Sequence, residues 1–202
     1  MSTGKKGGLK ISKIKGIGLI VEDASDYESF KILIKRITNN NNLKFKKAIA
    51  NGCGKIKRKA MSYAIDLHKR GCNMLILVHD LDRNDLLKLR VSLEDILAPS
   101  PLKYNFVCIP IEEIEAWFLS DPEGIKTLFS LKRKPKIKGN PEAISSPKEK
   151  LQDYIYFLSD KSKIYLNTKH NALLAEKLSL LMMRKKCRSF NKFYDFILTK
   201  TY

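Results

Sequence analysis

A chain of 202 residues with 44% hydrophobic side chains suits one domain with a small appendage and carries enough apolar mass for a core, which excludes an intrinsically disordered protein. Its 39 Lys+Arg against 21 Asp+Glu give a formal charge of +18, which points to a polyanion partner, nucleic acid first, more than to a merely solvated Lys-rich surface. The 4 cysteines (Cys53, Cys72, Cys108 and Cys187) form no CxxC pair, so neither a zinc ribbon nor a disulfide-stapled secreted fold is expected. No apolar stretch is long enough to span a bilayer, and the chain reads as cytoplasmic with no membrane partner.

Residues 1–15 form a basic, Gly-rich tail without an apolar signal core, able to touch phosphate. Ile17–Val21 is the first strand. Residues 26–38 follow as a helix, with Phe30, Leu33, Ile34 and Ile37 on the i, i+3, i+4, i+7 stripe that faces a core. Ser25 or Asp26 is placed to cap it, and Asn39 to Asn42 stop it. Residues 43–50 read as a second, more exposed strand, residues 51–55 as a Gly-rich turn, and residues 56–70 as a basic helix ended by Gly71. Met74–Val78 is a buried third strand, Leu86–Leu97 a helix, and residues 105–109 the fourth strand. Pro110 is read as opening a helix over residues 111–120, a position proline suits. Alternating strands and helices imply an α/β fold with a mostly parallel sheet flanked by helices, spanning residues 16–121. Residues 122–202 hold no further strand. They read as a helical C-terminal part packed on the sheet domain, with a basic loop over 132–139 and helices near 147–154, 171–183 and 188–200. The stripe Phe190, Phe193, Tyr194, Ile197 and Leu198 is a core face, and Trp117 a core anchor.

Acids collect where the strands end. The first strand delivers Glu22, the third delivers Asp80 and Asp82, and the fourth leads to Glu112, Glu113 and Glu115. Ligands bind outside the carboxyl ends of strands in such sheets, and close carboxylates repel unless a cation neutralises them. Oxygen donors suit Mg²⁺ or Mn²⁺, so Glu22, Asp80 and Asp82, completed by Glu113 or Glu115, are the candidate metal ligands. Glu22, Asp80, Asp82 and Glu115 are the candidate catalytic acids. A helix over 111–120 would put Glu112 and Glu115 on one face, where the helix dipole alone is a competing reason for acids. Lys55, Lys57 and Arg58 start a helix after a Gly-rich turn and are candidate phosphate contacts, as are Arg83, Lys148 and Lys169. His79 alternates away from Asp80 and is assigned a core or hydrogen-bonding role.

A strand ending in Glu, a helix, and a later strand ending in Asp-x-Asp resembles the TOPRIM fold of topoisomerases, primases and overcoming-lysogeny-defect type nucleases. Ile109-Pro110-Ile111-Glu112-Glu113-Ile114-Glu115-Ala116-Trp117-Phe118-Leu119-Ser120-Asp121 narrows the resemblance. With Asn51-Gly52-Cys53-Gly54-Lys55, Pro147-Lys148 and Cys187-Arg188-Ser189-Phe190, it is similar to a bacterial TOPRIM-like family of unknown function, DUF4276, over about residues 16–196. TOPRIM proteins usually have Gly after the first Glu; here Asp23 stands there, as an extra ligand or as an obstacle to close backbone approach. The motif's next acid, Asp26, is assigned to helix capping. The resemblance implies a Mg²⁺-dependent nuclease acting on DNA or RNA, tRNA included, with an ABC- or AAA-type ATPase partner in anti-phage defence. The competing expectation is a non-catalytic subunit that binds nucleic acid or the ATPase through a decayed site. Self-association is left open.

Overall fold

The computed structural model describes residues 14–201, so most of the basic tail lies outside the described residues. The elements are β1 (Ile17–Val21), α1 (Ala24–Thr38), β2 (Phe45–Ile49), α2 (Cys53–Lys69), β3 (Met74–Val78), α3 (Leu86–Leu97), β4 (Tyr104–Cys108), α4 (Glu115–Phe118) and α5 (Pro122–Phe129). After a 3-10 turn at Pro141–Ala143 come α6 (Pro147–Leu158), α7 (Asn167–Lys177), α8 (Leu180–Lys186) and α9 (Arg188–Thr201).

All pairings are parallel, in the order β2-β1-β3-β4, with Ile17 beside both Phe45 and Met74, and Met74 beside Tyr104. The two central strands are buried at every residue, which is why they read as continuous apolar runs rather than as alternating ones. Successive side chains feed opposite faces. Ile17, Leu19, Val21, Met74, Ile76 and Val78 join α1 and the C-terminal helices, while Ile20, Leu75 and Leu77 join α2 and α3. Gly18 lies under α2: a Cβ there would stand 2.9 Å from Leu67 Cδ1.

The C-terminal helices share the first of these cores. Phe30 of α1 packs edge-on against Trp117 and Phe193 at centroid distances of 5.6 and 5.5 Å, and Trp117 meets Phe190 at 5.1 Å. Arg36 donates to the Ala175 carbonyl at 2.6 Å, tying α1 to the last turn of α7. Trp117, Phe190, Phe193 and Ile197 are thus core, as expected, and Tyr194 and Leu198 of the same stripe are half-buried against it.

Four expectations are corrected. Pro110 does not open a helix: Glu112 is left-handed (φ +58°), and α4 starts only at Glu115, so Glu112 and Glu115 share no helix face. The helix expected over 171–183 is two, α7 and α8, because Leu178 is extended and Ser179 caps α8 by accepting from Met182 N–H. The helix α5 was not anticipated; Asp121 caps it and Pro122 occupies its first turn. Finally α1 begins at Ala24, and neither Ser25 nor Asp26 caps it. Asp23 does, its Oδ1 accepting from Ser25 N–H at 2.7 Å and Asp26 N–H at 3.0 Å.

Candidate active site

Chain order places the site. From β1 the chain moves to one side, to β2, and then returns across β1 to β3 and β4. Helix α1 covers one face and α2 and α3 the other, so a crevice is left outside the carboxyl ends of β1 and β3. A cavity of about 250 Å³ lies there, lined by Glu22, Asp23, Asp26, Asp80, Asp82, Glu113 and Glu115, with Lys148, Asn167 and Asn171. All 5 candidate metal ligands therefore meet in one cavity, and its lining holds seven carboxylates and one cationic side chain.

Each acid is set by a different local device. Glu22 follows β1 directly, and its carbonyl accepts from Asn51 N–H at 2.9 Å, which locks the end of β1 to the turn after β2. Asp80 and Asp82 follow β3 in a turn where Asp82 (φ +47°) and Arg83 (φ +60°) are both left-handed. Such residues are costly and persist only where neighbours hold them. Here Leu81 N–H donates to the Pro110 carbonyl at 3.1 Å, Arg83 N–H to Glu112 Oε2 at 3.1 Å, and Asn84 Nδ2 to the Leu81 carbonyl at 2.7 Å. Glu112 is thus a brace for the Asp80–Arg83 turn rather than a member of the cavity lining.

Glu113 Oε2 accepts from Lys148 N–H at 3.0 Å, at the first turn of α6, so the C-terminal part supplies one wall of the cavity. Glu115 is 3% exposed, and its Oε1 accepts from Tyr165 Oη at 2.6 Å and Asn171 Nδ2 at 3.2 Å. Tyr165 Oη also touches Asn171 Oδ1. Tyr165, Asn167 and Asn171 are the site residues that sequence reading missed, and Asp26, assigned to helix capping, lines the cavity instead. Asn171 and Tyr165 come from the helical part, at 56 and 50 residues' remove from Glu115, and no local pattern marks them.

The electrostatics follow from crowding in a partly dry space. Burial, with Asp26, Glu115, Asp82 and Glu113 around it, holds the Asp80 carboxyl well above the usual range. Burial and the neighbouring Asp23 push Asp26 up to about 7. Burial and Glu115 raise Glu113 to about 6, against the downward pull of the Lys148 N–H. Burial and the Glu115 carboxylate raise the Tyr165 phenol, which stays a neutral donor.

The donor set is all oxygen and strongly anionic, which fits a hard divalent cation in chemistry. Among the described residues, however, no group of three or more His, Cys, Asp or Glu side chains is drawn together as a formed metal site. Repulsion between uncompensated carboxylates opposes such convergence.

Of the candidate phosphate contacts, Lys148 lines the cavity, and Arg83 lines an adjoining one of about 190 Å³ with Asp82, Glu112, Glu113, Ser145, Ser146 and Glu149. Lys55, Lys57 and Arg58 are exposed in the first turns of α2, at the same sheet edge but outside the cavity lining; Lys169 is exposed in the first turn of α7. His79 is 4% exposed with Nδ1 2.6 Å from the Asp80 carbonyl, so Nδ1 carries the proton, and it does not line the cavity.

Residues 21–198 match a family described as Domain of unknown function (DUF4276). The chain belongs to the DUF4276 family. No match was found among curated proteins or solved structures. The phrases that carry the resemblance in this DUF4276 chain have separable jobs. Glu113 and Glu115 enter the cavity, while Trp117 Nε1 donates to Ser189 Oγ at 2.7 Å. Ser189 Oγ in turn meets Glu142 Oε1, and the Glu142 carboxylate accepts from Arg188 N–H at 2.8 Å and Ser189 N–H at 3.0 Å. Asp121 accepts from Gly124 N–H at 3.0 Å and Ser179 N–H at 2.9 Å, so it caps α5 and pins the α7–α8 break.

Proposed function

We propose that this protein is a metal-dependent nuclease that hydrolyses phosphodiester bonds of DNA or RNA, tRNA included, at the acidic cavity. The observation that supports the reading is the meeting of Glu22, Asp80, Asp82, Glu113 and Glu115 in one cavity of a chain with formal charge +18. Locally anionic and globally cationic is the combination a nuclease needs: the surface draws the polyanion and the cavity takes the cation. Those five residues would hold Mg²⁺ or Mn²⁺, which supplies charge neutralisation at the phosphoryl group. Burial and Glu115 raise Glu113 to about 6 without the cation, and a bound cation would hold it ionised. Lys148 at the cavity wall would meet developing negative charge, and Arg83, Lys55, Lys57, Arg58 and Lys169 would hold phosphates leading to it. The likeness of the β1 Glu and the β3 Asp-x-Asp to TOPRIM nucleases agrees with this. By that likeness the protein would work in the cytoplasm, as the effector of an anti-phage system with an ABC- or AAA-type ATPase partner.

The test is cleavage of plasmid DNA, single-stranded DNA and total tRNA with Mg²⁺ or Mn²⁺, wild type against Asp80→Asn/Asp82→Asn. Asparagine keeps the shape and tolerates the left-handed backbone at 82. Metal-dependent cutting lost in the variant is the expected result; cutting that survives it would move the chemistry elsewhere. A second reading, a non-catalytic nucleic-acid-binding subunit, is favoured by the ties of Glu115 Oε1 to Tyr165 and Asn171. Salt-sensitive binding that ignores divalent metal, with no cutting of any substrate, would support it.

A further inference from the structure

Helix α3 carries a pattern that the nuclease reading does not use. Its inner face is conventional: Leu89, Leu93 and Leu97 are buried in the core shared with α2. Its outer face should then be polar, yet Leu87 is 74% exposed and Val91 56% exposed. The six residues Leu87, Lys88, Val91, Ser92, Asp95 and Ile96 line one shallow groove along that face.

The order of these residues is self-complementary. About a midpoint between Val91 and Ser92, Leu87 mirrors Ile96, Lys88 mirrors Asp95, and Val91 mirrors Ser92. A two-fold axis perpendicular to the helix at that midpoint would set a second α3 antiparallel to the first, with Val91 beside its own copy and Lys88 level with Asp95 of the other helix, while Leu87 and the half-buried Ile96 lie on opposite edges of the seam. The two exposed Val91 side chains would then meet across the axis, and each Lys88 would meet an Asp95 of the other copy. Neither side chain makes an ion pair among the described residues, whereas Arg90 and Glu94 on the flank already pair with each other at 3.5 Å. Local charge also permits the approach. Lys88 and Arg90 balance Glu94 and Asp95, so α3 is neutral in a chain whose formal charge of +18 opposes self-association over most of its surface.

We propose that the outer face of α3 is a homodimer interface in which two copies pack their α3 helices antiparallel about a two-fold axis. The dimer has a consequence for the cavity. The N-terminus of α3 lies at the sheet edge that carries Asp80 and Asp82, so antiparallel packing turns the two cavities to opposite ends of the assembly. One helix pair buries less than an obligate interface does, so the dimer is reversible, with a Kd in the micromolar range.

Sedimentation velocity of the full chain across a wide concentration range tests this. Wild type is expected to pass reversibly from monomer to dimer, and Val91→Asp to stay monomeric. Lys88→Asp and Asp95→Lys each place two like-charged pairs across the axis and should weaken the dimer about tenfold or more. The double variant Lys88→Asp/Asp95→Lys restores both pairs with their signs exchanged and should recover wild-type affinity to within about threefold. Circular dichroism melting checks that these exposed-site variants fold. A wild type that stays monomeric throughout would overturn the proposal and leave the face to a different partner. A double swap no better than either single change, or a Val91→Asp protein that still dimerises, would overturn the antiparallel geometry.

Discussion

Asp26 is the residue at which local pattern and tertiary structure part. An acid in the first turn of a helix is ordinarily explained by the cap or the dipole. Asp23 takes the cap instead, and Asp26 joins the cavity lining, where burial and Asp23 raise it to about 7 from the ordinary 3.8. The sign of the consequence is fixed by linkage. Between about pH 4 and 7 the folded protein binds more protons at this site than the unfolded chain, so its contribution to stability falls as pH rises through that window. Asp26→Asn should therefore raise stability at pH 8, on the order of 1–2 kcal/mol, the 1.36 kcal/mol per pK unit being reduced by solvent screening in a partly open cavity. The same substitution should change little at pH 4. Urea unfolding of both proteins at the two pH values checks it; an equal gain at both would remove the titration from the explanation. Gly124 makes a second test at this scale. A Cβ there would stand 2.5 Å from Asp121 Oδ2 and 2.5 Å from Leu178 Cδ2. The roughly 1 kcal/mol of helix propensity that alanine gains over glycine is outweighed by overpacking of about 1–3 kcal/mol, with the loss of the Asp121 bonds added. Gly124→Ala should lower the melting temperature; a rise would mean the α5 cap relaxes freely.

At the scale of elements, legibility tracked the source of each element's stability. β3 and α3 were readable to the residue because their signals are local: a run of apolar residues flanked by polar ones, and a Leu stripe ended before prolines. The helix expected over 111–120 was not readable because its start is settled from outside. Glu112 spends its carbonyl and its carboxylate on the backbone of the Asp80–Arg83 turn, and that geometry requires φ +58° where a helix would need a negative value. The α7–α8 break likewise depends on Asp121, 58 residues earlier. In the site, the strand-end acids were legible from topology alone, whereas Tyr165 and Asn171 became neighbours of Glu115 only through packing of the helical part. Glu142 is the clearest case of such packing. One carboxylate holds two backbone N–H groups at the start of α9 and the Ser189 hydroxyl that receives Trp117. Glu142→Ala should cost about 2 kcal/mol, the sum of a lost helix cap and charge-assisted bonds. Glu142→Gln should retain part of that, since one oxygen remains as acceptor. Thermal unfolding of the two variants decides; equal and negligible losses would mean water replaces the carboxylate without penalty.

The whole molecule sets a strongly anionic cavity in a strongly cationic body, and the two charges answer to different tests. The body's excess acts at long range and is screened by salt, while the cavity acts at contact and is neutralised by a bound cation. Above neutral pH the cavity's carboxylates, Asp26 and Glu113 among them, must be held charged beside one another, a repulsion that opposes folding. A divalent cation that enters only the folded cavity removes that repulsion and stabilises the fold by mass action, about 2.7 kcal/mol at a concentration 100-fold above its Kd. Mg²⁺ or Mn²⁺ should therefore raise the melting temperature by several degrees at pH 8. The rise should shrink at pH 5, where protons occupy Asp26 and Glu113 and compete with the metal. It should vanish in Asp80→Asn/Asp82→Asn, whereas an equal concentration of monovalent charge should give no such rise in either protein. Scanning calorimetry at both pH values reads all of this without any substrate. If the double variant gained as much from the metal as wild type, the cation would be binding elsewhere on the chain, and the cavity would have to be understood without it.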